Sequence, residues 1–322
     1  MEPSSILRPP FDPALEKARK AFPDETVKSV QSLRSQPDSF TLESFLNQYP
    51  NLTHAEHTIP GPPSSPNGPI TLSIFQRKPT TRSSTELRPA IYNIHGGGQI
   101  AGTRFSGISF LAPLAPEHRA PAALEDCYAG LSWVFASADK LGIDGERILI
   151  VGVSGGAPIA AGCAMRAARD HLESRNGSGS DSKGNGNGKG EYPPRLCGQL
   201  LSTPMLDDRV DTVSSKQYMS DGGPWNAETN RMAWDCVLGP EHRGTDSVSA
   251  LVAPARATAT DIAGIALALP PAFIDVGAAE VFRDEAVAYA SVLWETGVSA
   301  ELHVWPGAWH GFDAMAPDAA VR

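Results

Sequence analysis

Several features that mark other classes of protein are missing from this sequence of 322 residues. The most apolar long stretch, 262–279, is interrupted by two prolines and an aspartate, so we expect no membrane span. Residues 1–17 have no apolar segment of the kind found in a secretory signal. The net charge is −9, which argues against binding to a phosphate backbone. These absences exclude membrane and nucleic-acid partners.

Cysteine is also scarce. The four cysteines are far apart and form no CxxC pair: Cys127, Cys163, Cys197 and Cys236. This spacing favours free thiols in a reducing, cytoplasmic compartment over disulfides or a metal site. Hydrophobic residues make up 41% of the chain, which is enough to build a large core.

Short β-rich runs alternate with helix-like segments after residue 55. The predicted strands are Ile70–Phe75, Ala90–Ile94, Ile148–Val151, Leu196–Leu201, Ala272–Val276 and Glu301–Trp305. The predicted helices are Pro121–Lys140, Ile159–His171 and Arg283–Thr296. This alternation predicts an α/β fold with a mostly parallel sheet and helices on both faces. Sites in such sheets form at the carboxyl ends of the strands.

The chain divides into two predicted parts. Residues 1–55 are partly amphipathic with proline breaks, which predicts a short helical N-terminal region. Residues 56–322 form the predicted α/β domain. Within it, 176–190 is rich in Gly, Ser and Asn and is expected to be a flexible surface loop.

The first chemical signal is Gly152-Val153-Ser154-Gly155-Gly156, which follows the aliphatic run at 148–151. A serine needs exposure and a neighbouring base to act as a nucleophile. The G-x-S-x-G turn supplies the exposure, because its glycines let the strand and the following helix approach closely. We therefore interpret Ser154 as a nucleophile rather than a serine in a plain glycine-rich loop.

A second glycine turn, His95-Gly96-Gly97-Gly98, follows the predicted strand AIYNI. Glycines at such a turn let backbone N–H groups approach a developing oxyanion. A plain turn remains an alternative. We interpret His95 as a structural hydrogen-bonding residue, not as a base.

The general base and the acid are expected late in the chain, because this architecture has the order Ser, acid, His. His310 lies in the loop-like HVWPGAWHGFD after the last strand. The acid should follow the preceding strand, where Glu280, Asp275 and Asp284 are candidates. Asp275 lies inside the strand and Asp284 is near a helix start, where it can pair with the helix dipole. Glu280 lies in the loop between them and is preferred.

With these residues in place, the chain resembles the hormone-sensitive-lipase-like family of α/β-hydrolases, which includes many carboxylesterases. The motifs that carry the resemblance are HGGG at 95–98, LAPEHRAPAALEDC at 114–127, GVSGG at 152–156, PMLDDR at 204–209, DVGAAEVFRDE at 275–285 and ELHVWPGAWHGFD at 301–313. The resemblance extends from about residue 55 to the end.

The resemblance implies an α/β-hydrolase fold with a helical cap. Ser154, Glu280 and His310 would form the catalytic triad, although the family usually has Asp at the position of Glu280. The N–H groups of the oxyanion hole would come from Gly97, Gly98 and Gly155, the last replacing the usual Ala. The cap would consist of the N-terminal region and roughly 205–255, and Trp225, Trp234 and Trp309 would line the pocket or simply pack. No metal or cofactor is implied.

The sequence departs from the family pattern at three places. Only 19 positions separate His95 from Leu114, where the family has a helix and a strand, so one central strand is expected to be missing. IALA at 265–268 reads as an insertion, and an expected final helix is absent before Arg322. A lost internal strand would leave backbone groups unpaired and core exposed.

Together, these features predict a serine carboxylesterase that acts on short acyl or acetyl esters of small metabolites, for example an acetylated intermediate of secondary metabolism. If a bound alcohol replaced water, the same site would be an acyltransferase. A second alternative is a non-catalytic binding protein, as in the plant gibberellin receptors, which resemble the family but lack the base. A third is an inactive product of a degraded gene or a faulty gene model. The oligomeric state is not predicted.

Overall fold

The computed structural model describes residues 6–21, 27, 29–35, 41–62, 68–78, 87–103, 105, 114–176, 194–220 and 223–319. Its strands are β1 (Leu52–Ile59), β2 (Ile70–Arg77), β3 (Arg88–Ile94), β4 (Ile143–Val153), β5 (Leu196–Ser202), β6 (Ala272–Gly277) and β7 (Ala300–Trp305). Strands β3 to β7 form a parallel sheet in the order β3-β4-β5-β6-β7. The predicted α/β architecture is therefore confirmed.

Helices connect the parallel strands and complete the chain. They are α1 (Pro13–Arg19), α2 (Val30–Arg34), α3 (Leu42–Gln48), α4 (Ala122–Ala136), α5 (Ala138–Leu141), α6 (Ala157–Asn176), α7 (Val213–Gln217), α8 (Ala227–Leu238), α9 (Ala259–Ala263), α10 (Arg283–Glu295) and α11 (Phe312–Met315). None of the described helices is long and apolar enough to cross a membrane. The predicted central strands and two of the predicted helices are present, whereas the helix predicted at Pro121–Lys140 is divided at Ser137 into α4 and α5.

Helix α6 is central to the site because it begins directly after the Ser154 turn. Its inner face consists of small residues, and Ala157, Ala160, Ala161 and Ala164 have no exposed surface. Small side chains let the helix axis lie close to β4 and β5, which it contacts. Pro158 lies in the first turn, where the N–H that proline lacks has no partner within the helix.

The first two strands were only partly predicted. β1 and β2 pair with each other in antiparallel register and form a separate sheet of two strands. β2 was expected from its apolar run, but β1 was missed, since LTHAEHTI carries several polar and charged side chains. An antiparallel strand with one face toward water needs apolar residues only at alternate positions, so its pattern is weaker.

Strand β3 lies at the edge of the five-stranded sheet. The Ile91 side chain on β3 is 69% exposed, whereas Ile94 on the same strand is fully buried. The segment in which a strand is expected to be missing lies mostly outside the described residues, at 104 and 106–113, so the expected loss stays a prediction. Residues 177–190 of the predicted flexible loop also lie outside them.

The N-terminal helices contact the region that precedes α4. Arg34 on α2 donates to the carbonyl oxygens of Ile100 (2.7 Å) and Ala115 (2.9 Å) and to both carboxylate oxygens of Glu117. The guanidinium beside it lowers the pKa of Glu117 to about 2. The contact joins the N-terminal region to the loop after β3.

The insertion at 265–268 forms turns after α9. Ile265 and Leu269 are buried in the core, whereas Leu267 is exposed. Residues 265–268 therefore lie at the boundary of the core, with Ile265 inside it and Leu267 in solvent.

The edge position of β3 predicts unequal effects of two isoleucine truncations on the same strand. Ile94→Ala removes a buried side chain and is expected to lower the free energy of unfolding by about 2–5 kcal/mol. Ile91→Ala removes an exposed side chain and is expected to lower it by less than about 1 kcal/mol. Urea denaturation followed by circular dichroism measures both. An equal, large loss for Ile91→Ala would show that this face of β3 is covered.

Candidate active site

Ser154 follows the last residue of β4 and begins the turn into α6. Its φ is +51°, in the left-handed region that costs a non-glycine residue about 1–3 kcal/mol. The turn is possible because two of its glycines have no side chain. A Cβ at Gly152 would lie 2.5 Å from the Ala157 Cα, and one at Gly156 would collide with the carbonyl oxygens at the end of β3. The strained turn presents the hydroxyl at the carboxyl end of the sheet.

His310 lies in the loop after β7, next to Gly311, which has a φ of +78°. Its Nε2 is 3.0 Å from the Ser154 Oγ. Its Nδ1 is 2.7 Å from the Glu280 Oε2. A carboxylate only accepts hydrogen bonds, so Nδ1 carries the proton and Nε2 is left to accept from Ser154.

Glu280 lies in the turn after β6 and is almost completely buried. Its second oxygen, Oε1, accepts a hydrogen bond of 2.7 Å from the Gly277 N–H. The two carboxylate oxygens therefore have separate partners, one in the backbone and one in the imidazole. This pairing is what a buried negative charge requires.

The two other acid candidates have different partners. Asp275 accepts from the Trp305 indole at 3.4 Å, and burial raises the pKa of its carboxyl. Asp284 accepts from the Ser214 N–H at 2.7 Å and from Arg283 at 2.7 Å. Of the three candidates, the structure brings only Glu280 to His310.

The loop after β3 (95–103), called the oxyanion loop after its predicted role, lies against the Ser154 turn. A Cβ on Gly155 would lie 2.6 Å from the Gly98 nitrogen and 2.7 Å from the Gln99 nitrogen. An alanine at 155 would therefore require the loop to shift, which gives a steric reason for glycine here. Gly97 and Gly98 both have positive φ, of 100° and 61°. Two of the predicted oxyanion glycines, Gly98 and Gly155, thus lie against each other next to Ser154.

His95 is buried, and its Nδ1 is 2.6 Å from the Gly96 carbonyl oxygen. Its ring occupies the space inside the loop, since a Cβ on Gly102 would lie 2.8 Å from the same nitrogen. These contacts agree with a structural role for His95.

The site is nearly closed to solvent. Ser154 and His310 are only 7% and 8% exposed. Two aromatic rings flank the imidazole: Phe282 at a centroid distance of 5.0 Å and Trp225 at 6.4 Å. The Trp225 indole also covers Gly98, where a Cβ would lie 2.8 Å from its Cζ2. Phe282 was not among the predicted residues, since an apolar residue before a helix gives no distinctive signal.

Trp309 is adjacent to His310 in sequence, but its indole packs elsewhere. It belongs to a separate apolar cluster with Leu15, Ala308 and Phe312. Its Nε1 donates to the Leu15 carbonyl oxygen at 3.4 Å. Trp234 is fully buried on α8. Of the three tryptophans suggested by the sequence, only Trp225 has described contacts to the predicted catalytic residues and the oxyanion loop.

Glu285, on α10, is a buried acid that sequence reasoning did not single out. Its Oε1 accepts from the Leu206 N–H at 2.6 Å, so it attaches the loop after β5 to α10. Burial raises the pKa of this carboxyl well above its ordinary value, and the nearby Asp207 and Glu280 add to the effect. In the sequence, Glu285 is simply the acid next to Asp284, and nothing there marks it as buried.

Comparison with known proteins gives a consistent picture. A family model described as the α/β hydrolase fold matches residues 91–314. The esterase LipI of Mycobacterium tuberculosis is 28% identical over 337 residues, covering 96% of this chain and 90% of LipI. The carboxylesterase NlhH of the same species is 30% identical over 250 residues, covering 72% of this chain and 70% of NlhH. Among solved structures, a bacterial heroin esterase is similar with a TM-score of 0.73 at 28% identity, covering 96% of this chain and 92% of that one.

The raised pKa of Glu285 predicts a pH-dependent stability. In the unfolded chain the pKa of a glutamate carboxyl is ~4.3. In the folded protein the pKa of Glu285 is higher, so this carboxyl keeps its proton to higher pH. Stability from this group is therefore present below the unfolded pKa and is lost as pH rises through the folded pKa. Glu285→Gln stays neutral and can still accept from Leu206.

We expect Glu285→Gln and the wild type to have similar stability near pH 4. Above pH 4 the free energy of unfolding of the variant should exceed that of the wild type, and the difference should grow by about 1.4 kcal/mol per pH unit until the pH reaches the pKa of Glu285 in the folded protein. Urea denaturation from pH 4 to pH 8 measures the difference. A difference that does not change with pH would mean that Glu285 ionises at the same pH in both states.

Proposed function

The chain belongs to the α/β-hydrolase fold family, in its hormone-sensitive-lipase-like branch, and from this we propose that it is a serine carboxylesterase for short acyl or acetyl esters of small metabolites. The observation that carries the proposal is the continuous hydrogen-bond chain from Ser154 through His310 to Glu280. The esterase names of LipI, NlhH and the bacterial heroin esterase support the reaction class.

In the first half of the proposed reaction, the Ser154 Oγ attacks the ester carbonyl carbon. His310 Nε2, 3.0 Å away, accepts the hydroxyl proton as the bond forms. The carbonyl oxygen becomes an oxyanion, and the N–H groups of Gly97, Gly98 and Gly155 stabilise it. The tetrahedral intermediate then collapses, and His310 returns the proton to the departing alcohol.

In the second half, water replaces the alcohol. His310 removes a proton from the water, the hydroxide attacks the acyl-enzyme, and the proton returns to the Ser154 Oγ as the carboxylic acid leaves. Glu280 holds the imidazole with its proton on Nδ1 and stabilises the imidazolium that forms in both halves. Each protein group returns to its starting state, and the residues involved require no metal or cofactor.

The enclosed site supports the preference for small acyl groups. The Trp225 indole covers Gly98, so an acyl chain bound beside the oxyanion glycines would compete with the indole for space. We therefore propose Trp225 as a substrate contact. Trp309 is assigned to packing, because it lies in an apolar cluster with Leu15, Ala308 and Phe312 and donates to the Leu15 carbonyl oxygen.

A non-catalytic binding role has less support. A binding protein on this scaffold has no need for a base beside the serine, whereas His310 here is paired with both Ser154 and Glu280.

The four cysteines are free thiols, which supports a reducing, cytoplasmic location.

The proposed function is tested by hydrolysis of p-nitrophenyl acetate. We expect the wild type to turn over and Ser154→Ala to fall to the residual level, a loss of about 10⁶-fold in kcat, because the triad acts as a unit. Ser202→Ala, a serine at the end of the neighbouring strand β5, is the matched control and should retain activity. A folded wild type no faster than Ser154→Ala would rule out the esterase.

Glu280 is tested by two substitutions of the same side chain. Glu280→Gln removes the charge and places the wrong hydrogen-bonding group against Nδ1, so kcat is expected to fall about 10⁴-fold. Glu280→Asp keeps the charge but is one methylene shorter, so it cannot reach both His310 and the Gly277 N–H as Glu280 does. Its kcat should lie between those of the wild type and Glu280→Gln. Near-normal turnover by Glu280→Gln would remove Glu280 from the triad.

A further inference from the structure

Several buried side chains, in the loop after β3 and on and just before α8, have polar atoms without a hydrogen-bond partner among the described residues. Within the described residues, no partner is found for Gln99 Nε2, Trp225 Nε1 or either end of the Asn230 amide. All three side chains are more than nine-tenths buried, and Asn230 has no exposed surface. Buried polar atoms are normally paired, so an orphaned group needs an explanation.

Trp225 and Gln99 are both next to Gly98. The Trp225 ring covers this glycine directly, and Gln99 follows it in the chain. Gln99 has a φ of +61°, a left-handed conformation that is uncommon for a residue with a side chain. Strain of this kind persists where the surrounding structure holds it and concentrates at binding sites.

Gln99 also lines a small cavity beside the oxyanion loop. The other walls are apolar and come from the start of α4, from Ile159 on α6, and from Leu251 and Val252. Gln99 is thus the polar residue in the wall of an otherwise apolar cavity. An apolar side chain would suit this cavity better if its only function were packing.

Asn230 lies on the buried face of α8. Residues three and four positions apart share one face of a helix, so Asn230 lies in line with Ala233. Ala233 is the second residue near Gly98: its Cβ would be 3.4 Å from a Cβ on that glycine. The same buried face carries two more orphaned groups, Thr229 Oγ1 and Trp234 Nε1.

The chemistry of these groups indicates what would pair with them. An indole N–H only donates, the orphaned end of Gln99 donates, and Asn230 both donates and accepts. A hydrocarbon acyl chain would leave all of them unpaired. Oxygen atoms of a ligand would satisfy them, and leaving a buried group unpaired is more costly than the pair is worth.

Resting on the proposed esterase function, we propose that the natural ester carries hydrogen-bonding oxygens beyond its carbonyl group, as a hydroxy, ether or keto compound does. Gln99, Trp225 and Asn230 bind these oxygens and select such esters over hydrocarbon esters of equal size.

The test compares esters that differ by one ether oxygen at equal length. On the acyl side the pair is p-nitrophenyl methoxyacetate and p-nitrophenyl butyrate; on the alcohol side it is 2-methoxyethyl acetate and butyl acetate. The measured quantity is the ratio of kcat/KM within each pair. Comparing this ratio between variants cancels the intrinsic reactivity of the esters.

We expect Asn230→Leu, Trp225→Phe and Gln99→Met each to lower the ether-to-alkyl ratio in at least one pair by about 5- to 10-fold, the value of one hydrogen bond. Tyr289→Phe is the matched control, because it removes a buried hydroxyl on α10 that also has no hydrogen-bond partner in the described part of the chain. It should leave both ratios unchanged.

Thermal unfolding supplies a second readout. Because leucine removes an orphaned amide, Asn230→Leu should melt at the same temperature as the wild type or higher. A much lower melting temperature would mean that the Asn230 amide is a structural hydrogen-bonding group, and the proposal would fail for this residue. Ratios equal to the wild type in all three variants, for both pairs, would overturn the proposal as a whole.

The result is separable from the proposed function. If Ser154→Ala loses hydrolysis of every ester while the three variants keep the wild-type ratios, the esterase stands and the polar pocket fails. If the wild type hydrolyses no ester, the esterase fails. Saturation-transfer NMR of 2-methoxyethyl acetate and butyl acetate with Ser154→Ala then tests the pocket by binding alone: preferential binding of the ether supports it, and equal binding overturns it.

Discussion

The close approach of three backbone segments at the end of β4 is the constraint on which the site depends. Ser154 is held at a positive φ, and the turn closes only because Gly152 and Gly156 leave room for the start of α6 and the end of β3. Gly155 extends the same constraint to the oxyanion loop, since even a methyl group there would press on Gly98. Ser154 and the loop after β3 are thus positioned by one set of contacts.

Burial strengthens the interaction between Glu280 and His310, and it also requires that the buried charge be fully paired. Charges interact more strongly away from water, so the Glu280 carboxylate acts on the imidazole with little screening. A buried charge must also be fully paired, and Glu280 is, with one oxygen on His310 and the other on the Gly277 N–H. Within the described part of the chain, the same enclosure leaves the Asn230 amide and the Trp225 Nε1 without a hydrogen-bond partner. Ser154, His310 and Glu280 thus satisfy one another, whereas these two side chains do not.

Much of the fold was predictable from the sequence, because buried parallel strands are short apolar runs and because helices separate them. The residues at Ser154, Glu280 and His310 were predictable for a related reason: each follows a strand, and strand ends meet at one edge of the sheet. Features that depend on contacts between distant segments were not. Glu285 bonds to a backbone N–H 79 positions away, and no local pattern encodes that pairing. The direction of a side chain in a loop could not be predicted from the sequence either. Trp309 packs in a separate apolar cluster, whereas its neighbour His310 contacts Ser154.

β3 is the outermost strand of the described parallel sheet and pairs there with β4 alone, so the oxyanion loop that follows it needs other contacts to hold its position. Three contacts hold it from elsewhere. β3 pairs in parallel with β4 up to Ile94 opposite Gly152, immediately before the Ser154 turn. Gly155 packs against the loop from the nucleophile side. Arg34 binds the Ile100 carbonyl oxygen from the N-terminal helices. These contacts lie on the side of β4 and at the carboxyl end of β3. The strand that the sequence predicts to be missing would pair along the opposite edge of β3. Its loss would therefore affect the stability of the sheet more than the geometry of the site.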